Sequence, residues 1–302
     1  GLDAIADELR DRLPEGTLVR ASDREETIEL LETVPIVIEH RLDQATLVEG
    51  TAVEWIQSLS SGYDRYDPDT LEDQGVTLTT VSGVHAEPVA QHVLGSILAF
   101  ERGLFRAHRQ GADAAWRRFA PEEVTGKTAG IVGVGAIGGR IAERLSALGM
   151  SVLGVKRDLE NVPSAVDEAY APGDLHTVLG RADYVVVACP LTADTRGLFD
   201  RTAFDSMSPD AVFVNIARGA IADQDDLIAA LQTGELGGAI LDVTADEPLA
   251  PTSPLWSLEN VLVTPHMAGG SPLFAERVGA VVEHNYRAFT EGRLDDLRNR
   301  VV

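Results

Sequence analysis

The chain of 302 residues has one cysteine, few aromatic residues and no long apolar run. Cys189 has no partner for an internal disulfide, which excludes a secreted scaffold stabilised by disulfides. No apolar stretch approaches the roughly 18 residues that would span a bilayer, and charged residues near the start argue against a signal peptide. We therefore expect a cytoplasmic protein with no membrane partner.

Positive charge is also scarce, because 25 Lys and Arg residues face 48 Asp and Glu residues and leave a net charge of −23. Nucleic-acid binders gain affinity from cationic side chains, so DNA and RNA are poor partners. Only Lys127 and Lys156 are lysines. The acids are scattered, and salt relieves their repulsion because the Debye length falls to about 3 Å at 1 M. The composition predicts a protein of a salt-loaded, halophilic cytoplasm; the alternative is an ordinary acidic protein.

Short β-branched runs alternate with helical patterns along the chain, which is typical of parallel sheets with crossover helices. Six nearly continuous apolar runs predict strands covered on both faces: 130–134, 152–155, 184–188, 212–216, 239–242 and 261–264. A second series predicts a helix over 2–13 and strands near 17–20, 36–39, 53–59 and 76–79. These two series predict two open sheets.

The segments outside the two series indicate how the chain connects them. Apolar residues at helical spacing predict one long connecting helix over 87–109 and a last helix over 274–289. The last helix is too isolated to form a domain, so we expect it to return to the first series. The predicted fold is α/β with two doubly wound parallel-sheet domains, a discontinuous one from 1–83 and 271–302 and a larger one from 84–270.

A glycine-rich motif, Gly133-Val134-Gly135-Ala136-Ile137-Gly138, lies between the first strand of the larger series and a helix that runs to about residue 148. The first glycine allows a tight turn, the second lets the backbone approach a pyrophosphate, and the third permits close helix–strand packing. Free N–H groups at the helix start attract the anion. A glycine motif alone is weak evidence, but the strand and helix around it favour dinucleotide binding over a bare turn.

Lys156 and Arg157 follow the second strand, where NAD-selective sites have an acid for the ribose 2′-hydroxyl. Two cations would neutralise a 2′-phosphate, which favours NADP(H). They are alternatively ordinary solvated loop residues, and Asp158 could still serve a ribose hydroxyl. The sequence therefore predicts a preference for NADP(H) and leaves use of NAD(H) open.

Three later loops carry an arginine, acids and a histidine, in segments 215–219, 242–248 and 264–266. Reduction of a 2-oxo acid develops an alkoxide, which needs a proton donor that titrates near neutrality, and histidine supplies one. A carboxylate against the other ring nitrogen orients the imidazole, and an arginine can hold the substrate carboxylate. Taken singly, Arg218 and Glu247 are also typical of surface ion pairs and His266 of a loop histidine.

The order of these motifs resembles the D-isomer-specific 2-hydroxyacid dehydrogenase family. The resemblance rests on the glycine motif, on Pro190-Leu191-Thr192 with Thr195, and on segments 215–219, 242–248 and 264–269. Residues 60–64 are similar to the family's substrate-carboxylate loop and residues 89–92 to the start of its interdomain helix. The resemblance is greatest to haloarchaeal members.

The resemblance implies a Rossmann cofactor domain inserted into a smaller flavodoxin-like substrate domain, closure of the two over the substrate, and a homodimer. It implies that Arg218 binds the substrate, that His266 is the acid/base, and that Glu247 is the partner of His266. Backbone amides of Ser61, Gly62 and Tyr63 would help hold the substrate carboxylate. The implied cofactor contacts are Gly133, Gly135, Ala136, Ile137, Gly138, Lys156, Arg157, Cys189, Pro190, Thr195, Ile216, Ala217, Arg218, Asp242, His266 and Gly269.

The predicted reaction is reduction of a small 2-oxo acid to a D-2-hydroxy acid by hydride transfer. An unphosphorylated substrate fits better, because segment 53–84 offers only Arg65 as a cation, although Arg41 could alter this. The rivals are a 3-phosphoglycerate dehydrogenase and, in another class, a nucleotide-sensing corepressor. No Cys and His spacing predicts a metal site.

Three positions depart from the family pattern. The family usually opens with a strand, whereas the given sequence opens in a helical pattern, so that strand is either absent or trimmed off. Ala188 stands where many members have histidine, and Gln91 where many have glutamate. Neither residue belongs to the proposed catalytic set.

Overall fold

The computed structural model describes residues 2–40, 42–63 and 65–302. Strands and helices alternate along most of this length, which confirms the predicted α/β class. The strands are β1 (Ile36–Glu39), β2 (Trp55–Ser58), β3 (Thr77–Thr79), β4 (Thr128–Val132), β5 (Ser151–Val155), β6 (Glu168–Tyr170), β7 (Tyr184–Val187), β8 (Val212–Asn215), β9 (Gly238–Leu241) and β10 (Val261–Val263). The α-helices are α1 (Leu2–Arg12), α2 (Arg24–Leu31), α3 (Gln44–Glu49), α4 (Pro68–Asp73), α5 (Ala86–Glu101), α6 (Leu104–Ala112), α7 (Ala136–Ser146), α8 (Leu175–Leu179), α9 (Arg201–Asp205), α10 (Gln224–Thr233) and α11 (Phe274–Thr290).

The chain divides into two compact units, Gly1–Val84 with Ser271–Val302 and His85–Gly270. We call these the smaller unit and the larger unit. Within the part of the chain that the structure describes, no helix has both the length and the apolar character needed to cross a membrane.

The larger unit is built on a parallel sheet with strand order β10-β9-β8-β7-β4-β5-β6. Successive strand residues point to opposite faces, so Val185 and Val186 enter two different cores. Helices α8, α9 and α10 cover one face, and helices α5 and α7 cover the other. This double cover explains why the strand residues are almost continuously apolar.

The smaller unit has a parallel sheet with order β1-β2-β3, also covered on both faces. Helix α11 packs on α1, where Arg12 Nη1 lies 3.0 Å from Glu283 Oε2. The fully buried Asn285 of α11 donates to Gln57 Oε1 of β2 at 2.9 Å. A buried amide of this kind fixes the position of the helix, because an unpaired polar group there would be destabilising.

Three local predictions were wrong. Residues 17–20 do not form a strand; β-branched composition is not enough without a neighbouring ladder. The predicted helix over 87–109 is two helices, because Gly103 between them has a left-handed φ of 64°. The larger sheet has a seventh strand, β6, whose residues are exposed or half-buried and so lack the apolar pattern of the others.

Candidate active site

The strands of the larger sheet are parallel, so their carboxyl ends share one edge. From β4 the chain runs outward through β5 and β6, then returns to the other side of β4 and runs through β7, β8, β9 and β10. Ligands of open α/β sheets bind beside the carboxyl ends at the strand pair where this direction reverses. Here that pair is β4 and β7.

The glycine motif lies at this reversal point, between β4 and α7. Gly133 has a φ of 100°, and a Cβ there would lie 2.5 Å from the backbone N of Cys189. A Cβ on Gly138 would overlap the Gly133 carbonyl oxygen. At Gly135, in contrast, none of the described residues has an atom within 4 Å of an added Cβ, and none of their side chains caps the helix. The loop therefore leaves open space beside unpaired N–H groups at a helix start, as a pyrophosphate requires.

The loop after β5 presents two cations. The Lys156 ammonium donates to the Asn161 carbonyl oxygen, and Arg157 is exposed with no ion-pair partner among the described residues. Asp158 accepts hydrogen bonds from Asn161 Nδ2 at 2.7 Å and from Glu160 N at 2.9 Å. The first of these bonds, aided by the second, lowers the pKa of Asp158. The Asp158 carboxylate is thus already hydrogen-bonded to residues of its own loop.

The loop after β7 holds three of the predicted cofactor contacts. Thr195 Oγ1 donates to the Pro190 carbonyl at 2.7 Å and accepts from Thr192 N at 2.7 Å, so its hydroxyl fixes the loop. Cys189 lies against Gly133, and burial raises the pKa of its thiol.

Arg218 follows β8 in a loop that is shaped by the buried Asn215. The Asn215 side chain accepts from Ala217 N and donates to the Arg218 carbonyl, both at 3.0 Å. Arg218 itself is exposed, and its Nη1 donates to the Ala217 carbonyl at 2.7 Å. Among the described residues no carboxylate pairs with the guanidinium, which therefore retains its charge for an anionic ligand.

The loop after β10 is held by Asp242, which follows β9 and is 2% exposed. Its carboxylate accepts from Thr264 Oγ1 at 2.5 Å, Met267 N at 2.9 Å and Ala268 N at 2.8 Å. Between these anchors His266 has a left-handed φ of 50°, which is rare for a residue other than glycine. Such a conformation persists only where the surroundings impose it, so the Asp242 bonds set the orientation of the histidine.

The imidazole of His266 meets the carboxylate of Glu247, with Nδ1 2.7 Å from Oε2. Glu247 is itself fixed by a hydrogen bond from Thr244 N to Oε1 at 3.3 Å. An Nδ1–H bond to the carboxylate defines the tautomer and leaves Nε2 to exchange a proton with a ligand. The site thus has a histidine hydrogen-bonded to a carboxylate. His266 follows β10 and Arg218 follows β8, and only β9 lies between these two strands in the sheet.

Comparison with known proteins identifies the family of this chain. The family model described as "D-isomer specific 2-hydroxyacid dehydrogenase, NAD binding domain" matches residues 94–268. The chain belongs to the D-isomer-specific 2-hydroxyacid dehydrogenase family. The resemblance predicted from the motifs is confirmed, and the protein is an NAD(P)-dependent dehydrogenase whose larger unit holds the nucleotide-binding domain.

Relatives of this dehydrogenase include reductases of small acids. A glyoxylate reductase from Pyrococcus furiosus is 31% identical over 279 residues, which cover 89% of this chain and 82% of that protein. A D-3-phosphoglycerate dehydrogenase from Archaeoglobus fulgidus is 29% identical over 263 residues, 86% of this chain but 50% of that protein. An NADPH-dependent glyoxylate/hydroxypyruvate reductase from Sinorhizobium meliloti, solved with NADP and sulfate, has a TM-score of 0.83 at 28% identity; the alignment covers 100% of this chain and 95% of that one.

The site of this dehydrogenase also contains residues to which the sequence analysis gave no role. Asn215 shapes the Arg218 loop, and the position of this polar residue at the end of a buried strand is a signal for such a role. Nε2 of the half-buried His92 lies 3.3 Å from Thr264 Oγ1 and 3.9 Å from Asp242 Oδ1. No sequence pattern could connect His92 with Thr264, because 172 positions separate them.

The predicted substrate loop lies in the smaller unit. Ser61 Oγ is buried without a hydrogen-bond partner among the described residues, whereas Gly62 and Tyr63 are exposed. Asp64, which the motif includes, and Arg41, considered for substrate charge, lie outside the described residues. A buried hydroxyl with no partner is unfavourable unless a ligand or water completes it.

Proposed function

We propose that this dehydrogenase reduces small unphosphorylated 2-oxo acids to D-2-hydroxy acids, with NADPH preferred over NADH. The observation that carries the proposal is the His266–Glu247 pair at 2.7 Å, on the sheet edge that also bears the glycine loop and Arg218. An acid/base, a cation and a nucleotide cradle are the parts that reduction of a carbonyl next to a carboxylate requires.

In the proposed mechanism a bound reduced nicotinamide supplies the hydride to the carbonyl carbon. Arg218 holds the substrate carboxylate and polarises the carbonyl through its planar fork. His266 Nε2–H gives its proton to the carbonyl oxygen as the alkoxide develops, and the imidazole is left neutral. Glu247 keeps the ring oriented by accepting a hydrogen bond from Nδ1–H. Backbone amides of Ser61–Tyr63 would help bind a substrate carboxylate.

The preference for NADPH is supported by the loop after β5. Arg157 has no ion-pair partner among the described residues, and Asp158 is occupied by Asn161 and Glu160, which leaves positive charge for a 2′-phosphate. The structurally similar reductase from Sinorhizobium meliloti is described as NADPH-dependent. NADH should serve as a poorer substrate.

An unphosphorylated substrate is favoured by the charge of the smaller unit. Arg65 lies 3.4 Å from the buried Glu39 carboxylate, so its charge is already balanced. A 3-phosphoglycerate dehydrogenase would need a free cation for the phosphate. Glyoxylate and hydroxypyruvate, which are named for the relatives, carry no second anionic group.

The test is a panel of 2-oxo acids assayed with NADPH and NADH at high potassium chloride. We expect turnover of glyoxylate and hydroxypyruvate, a higher kcat/KM with NADPH, and a D-configured product. Equal or better activity with NADH would contradict the role of Lys156 and Arg157. Faster reduction of a phosphorylated substrate would favour the 3-phosphoglycerate alternative, and cofactor binding without turnover of any acid would favour the corepressor.

We further propose a homodimer and a halophilic origin. Leu104 and Trp116 of the larger unit are 56% and 92% exposed, and a second copy of the chain would cover these apolar side chains. A single species of twice 32.3 kDa in light scattering at high salt is the expected result. The net charge of −23 with two lysines supports the halophilic origin. A cytoplasmic location stays a prediction.

A further inference from the structure

A buried carboxylate lies at the carboxyl edge of the smaller sheet. Glu39 ends β1 and is paired in register with Ser58, the last residue of β2. It is 3% exposed, a position that a carboxylate tolerates only when it is hydrogen-bonded. The chain leaves β2 at this point, and Leu59 N donates to the Glu39 carbonyl at 2.7 Å. The carboxylate therefore lies at the root of the predicted substrate loop.

Three donors hold the Glu39 side chain. Leu42 N donates to Oε2 at 2.8 Å, and the Tyr66 hydroxyl and Arg65 Nη2, the latter at 3.4 Å, donate to Oε1. Burial, aided by the hydrogen bond to Glu39, raises the pKa of Tyr66, so its phenol stays protonated and remains a donor. Two of these donors, Arg65 and Tyr66, directly follow the substrate loop in the chain.

Arg65 connects this carboxylate to the near side of the loop. Its Nη2 donates to Ser60 Oγ at 3.3 Å, and its guanidinium carbon lies 5.6 Å from the centre of the Tyr66 ring. Tyr66 N donates to the Tyr63 carbonyl at 2.9 Å. Both ends of the segment that contains Ser61, Gly62 and Tyr63 are therefore tied to one ion pair.

We propose that Glu39 and Arg65 are positioning residues that hold the Ser61–Tyr63 amides in place for the substrate carboxylate. The inference rests on the proposed function. Main-chain donors bind well only when held within about 0.5 Å of the productive geometry, and a loop that must first be ordered binds more weakly. The pair therefore acts on binding of the 2-oxo acid and not on hydride transfer or cofactor binding.

The test compares Glu39→Gln and Arg65→Met with the wild-type enzyme. We expect the KM for glyoxylate and the Kd for oxamate, an unreactive 2-oxo acid analogue, to rise about tenfold in each variant. The kcat and the Kd for NADPH stay within about twofold of wild type. The double variant is no weaker than either single one, because both remove the same interaction. Arg65→Lys, which keeps a cation beside Glu39, restores part of the binding.

Arg20→Met is the matched control, since it removes an exposed arginine of the same unit whose Nη1 lies 2.6 Å from Asp3 Oδ1. We expect it to leave the KM for glyoxylate unchanged. If Glu39→Gln is not folded, as judged by thermal unfolding, Tyr66→Phe and Ser60→Ala carry the test. Each removes one hydrogen bond to Glu39 or Arg65 without removing a charge. Both should raise the KM.

Two results would overturn the inference. Folded variants of Glu39 and Arg65 with wild-type KM and oxamate Kd would show that the Glu39–Arg65 pair does not position the loop. A rise in KM confined to 2-oxo acids with a second anionic group would make Arg65 a substrate contact instead. Failure of the proposed function is distinct, because the wild-type enzyme would then reduce no 2-oxo acid at all.

Discussion

Gly135→Ala is the most direct test of nucleotide binding by the glycine motif. It separates an effect on the space for the ligand from an effect on protein packing. A Cβ at this position meets no protein atom within 4 Å, and the backbone there is extended with a φ of −96°. The folded chain can therefore accept alanine. Alanine is a poorer N-cap than glycine but loses less conformational entropy on folding, so the two effects should leave stability within about 1 kcal/mol of wild type.

The cost of Gly135→Ala should appear when NADPH binds. The added methyl group would occupy the space beside the free N–H groups of α7, where the pyrophosphate must approach. Loss of one charge-assisted hydrogen bond costs about 1.5–3 kcal/mol, which corresponds to roughly a 10- to 150-fold higher Kd. Fluorescence titration with NADPH and thermal unfolding of the apo-protein measure the two quantities separately.

Gly133→Ala is the matched contrast. Its Cβ would lie 2.5 Å from Cys189 N, where ordinary contact begins at 3.4 Å, and its φ is 100°. The left-handed conformation costs about 1–2 kcal/mol and overpacking about 1–3 kcal/mol, so this variant should unfold more easily. An unchanged Kd for NADPH in Gly135→Ala would refute pyrophosphate binding at the glycine motif. Equal destabilisation of both variants would make the motif a structural turn only.

Three other predictions concern the acid/base pair, the thiol and the surface charge. Glu247→Ala should lower kcat about 10- to 100-fold with little change in the Kd for NADPH. Glu247→Gln should lower kcat by a smaller factor, because an amide oxygen still accepts a hydrogen bond from Nδ1. Wild-type kcat in both variants would mean that the His266–Glu247 pair is structural. Cys189 should react with a disulfide reagent more slowly than free cysteine at pH 8, and its rate should rise at higher pH than for a free thiol, because burial raises the pKa and reduces the thiolate fraction. Dilution from ~2 M to ~0.1 M potassium chloride should lower the unfolding midpoint as screening weakens, and a midpoint independent of salt would contradict the halophilic proposal.

Local sequence was sufficient for the parts of the site that are contiguous in the chain. The glycine motif predicted its strand, turn and helix correctly because each glycine answers a backbone requirement within a few residues. The apolar runs predicted six strands of the larger sheet because burial on both faces demands continuous hydrophobicity. The short β6 was not predicted, because Glu168–Tyr170 has no apolar pattern. It is a strand only because it pairs with β5.

Composition and local pattern determined the α/β class, the nucleotide loop and the loops that follow the strands, because these depend on residues close together in the chain. Only the tertiary structure decided which side chains meet across those loops. Glu247 reaches His266 over 19 positions, Asp242 anchors amides more than 20 positions away, and Glu39 accepts from Arg65 and Tyr66 across one helix and one strand. These contacts exist because parallel strands bring their carboxyl ends to one edge, an arrangement fixed by packing of the whole sheet.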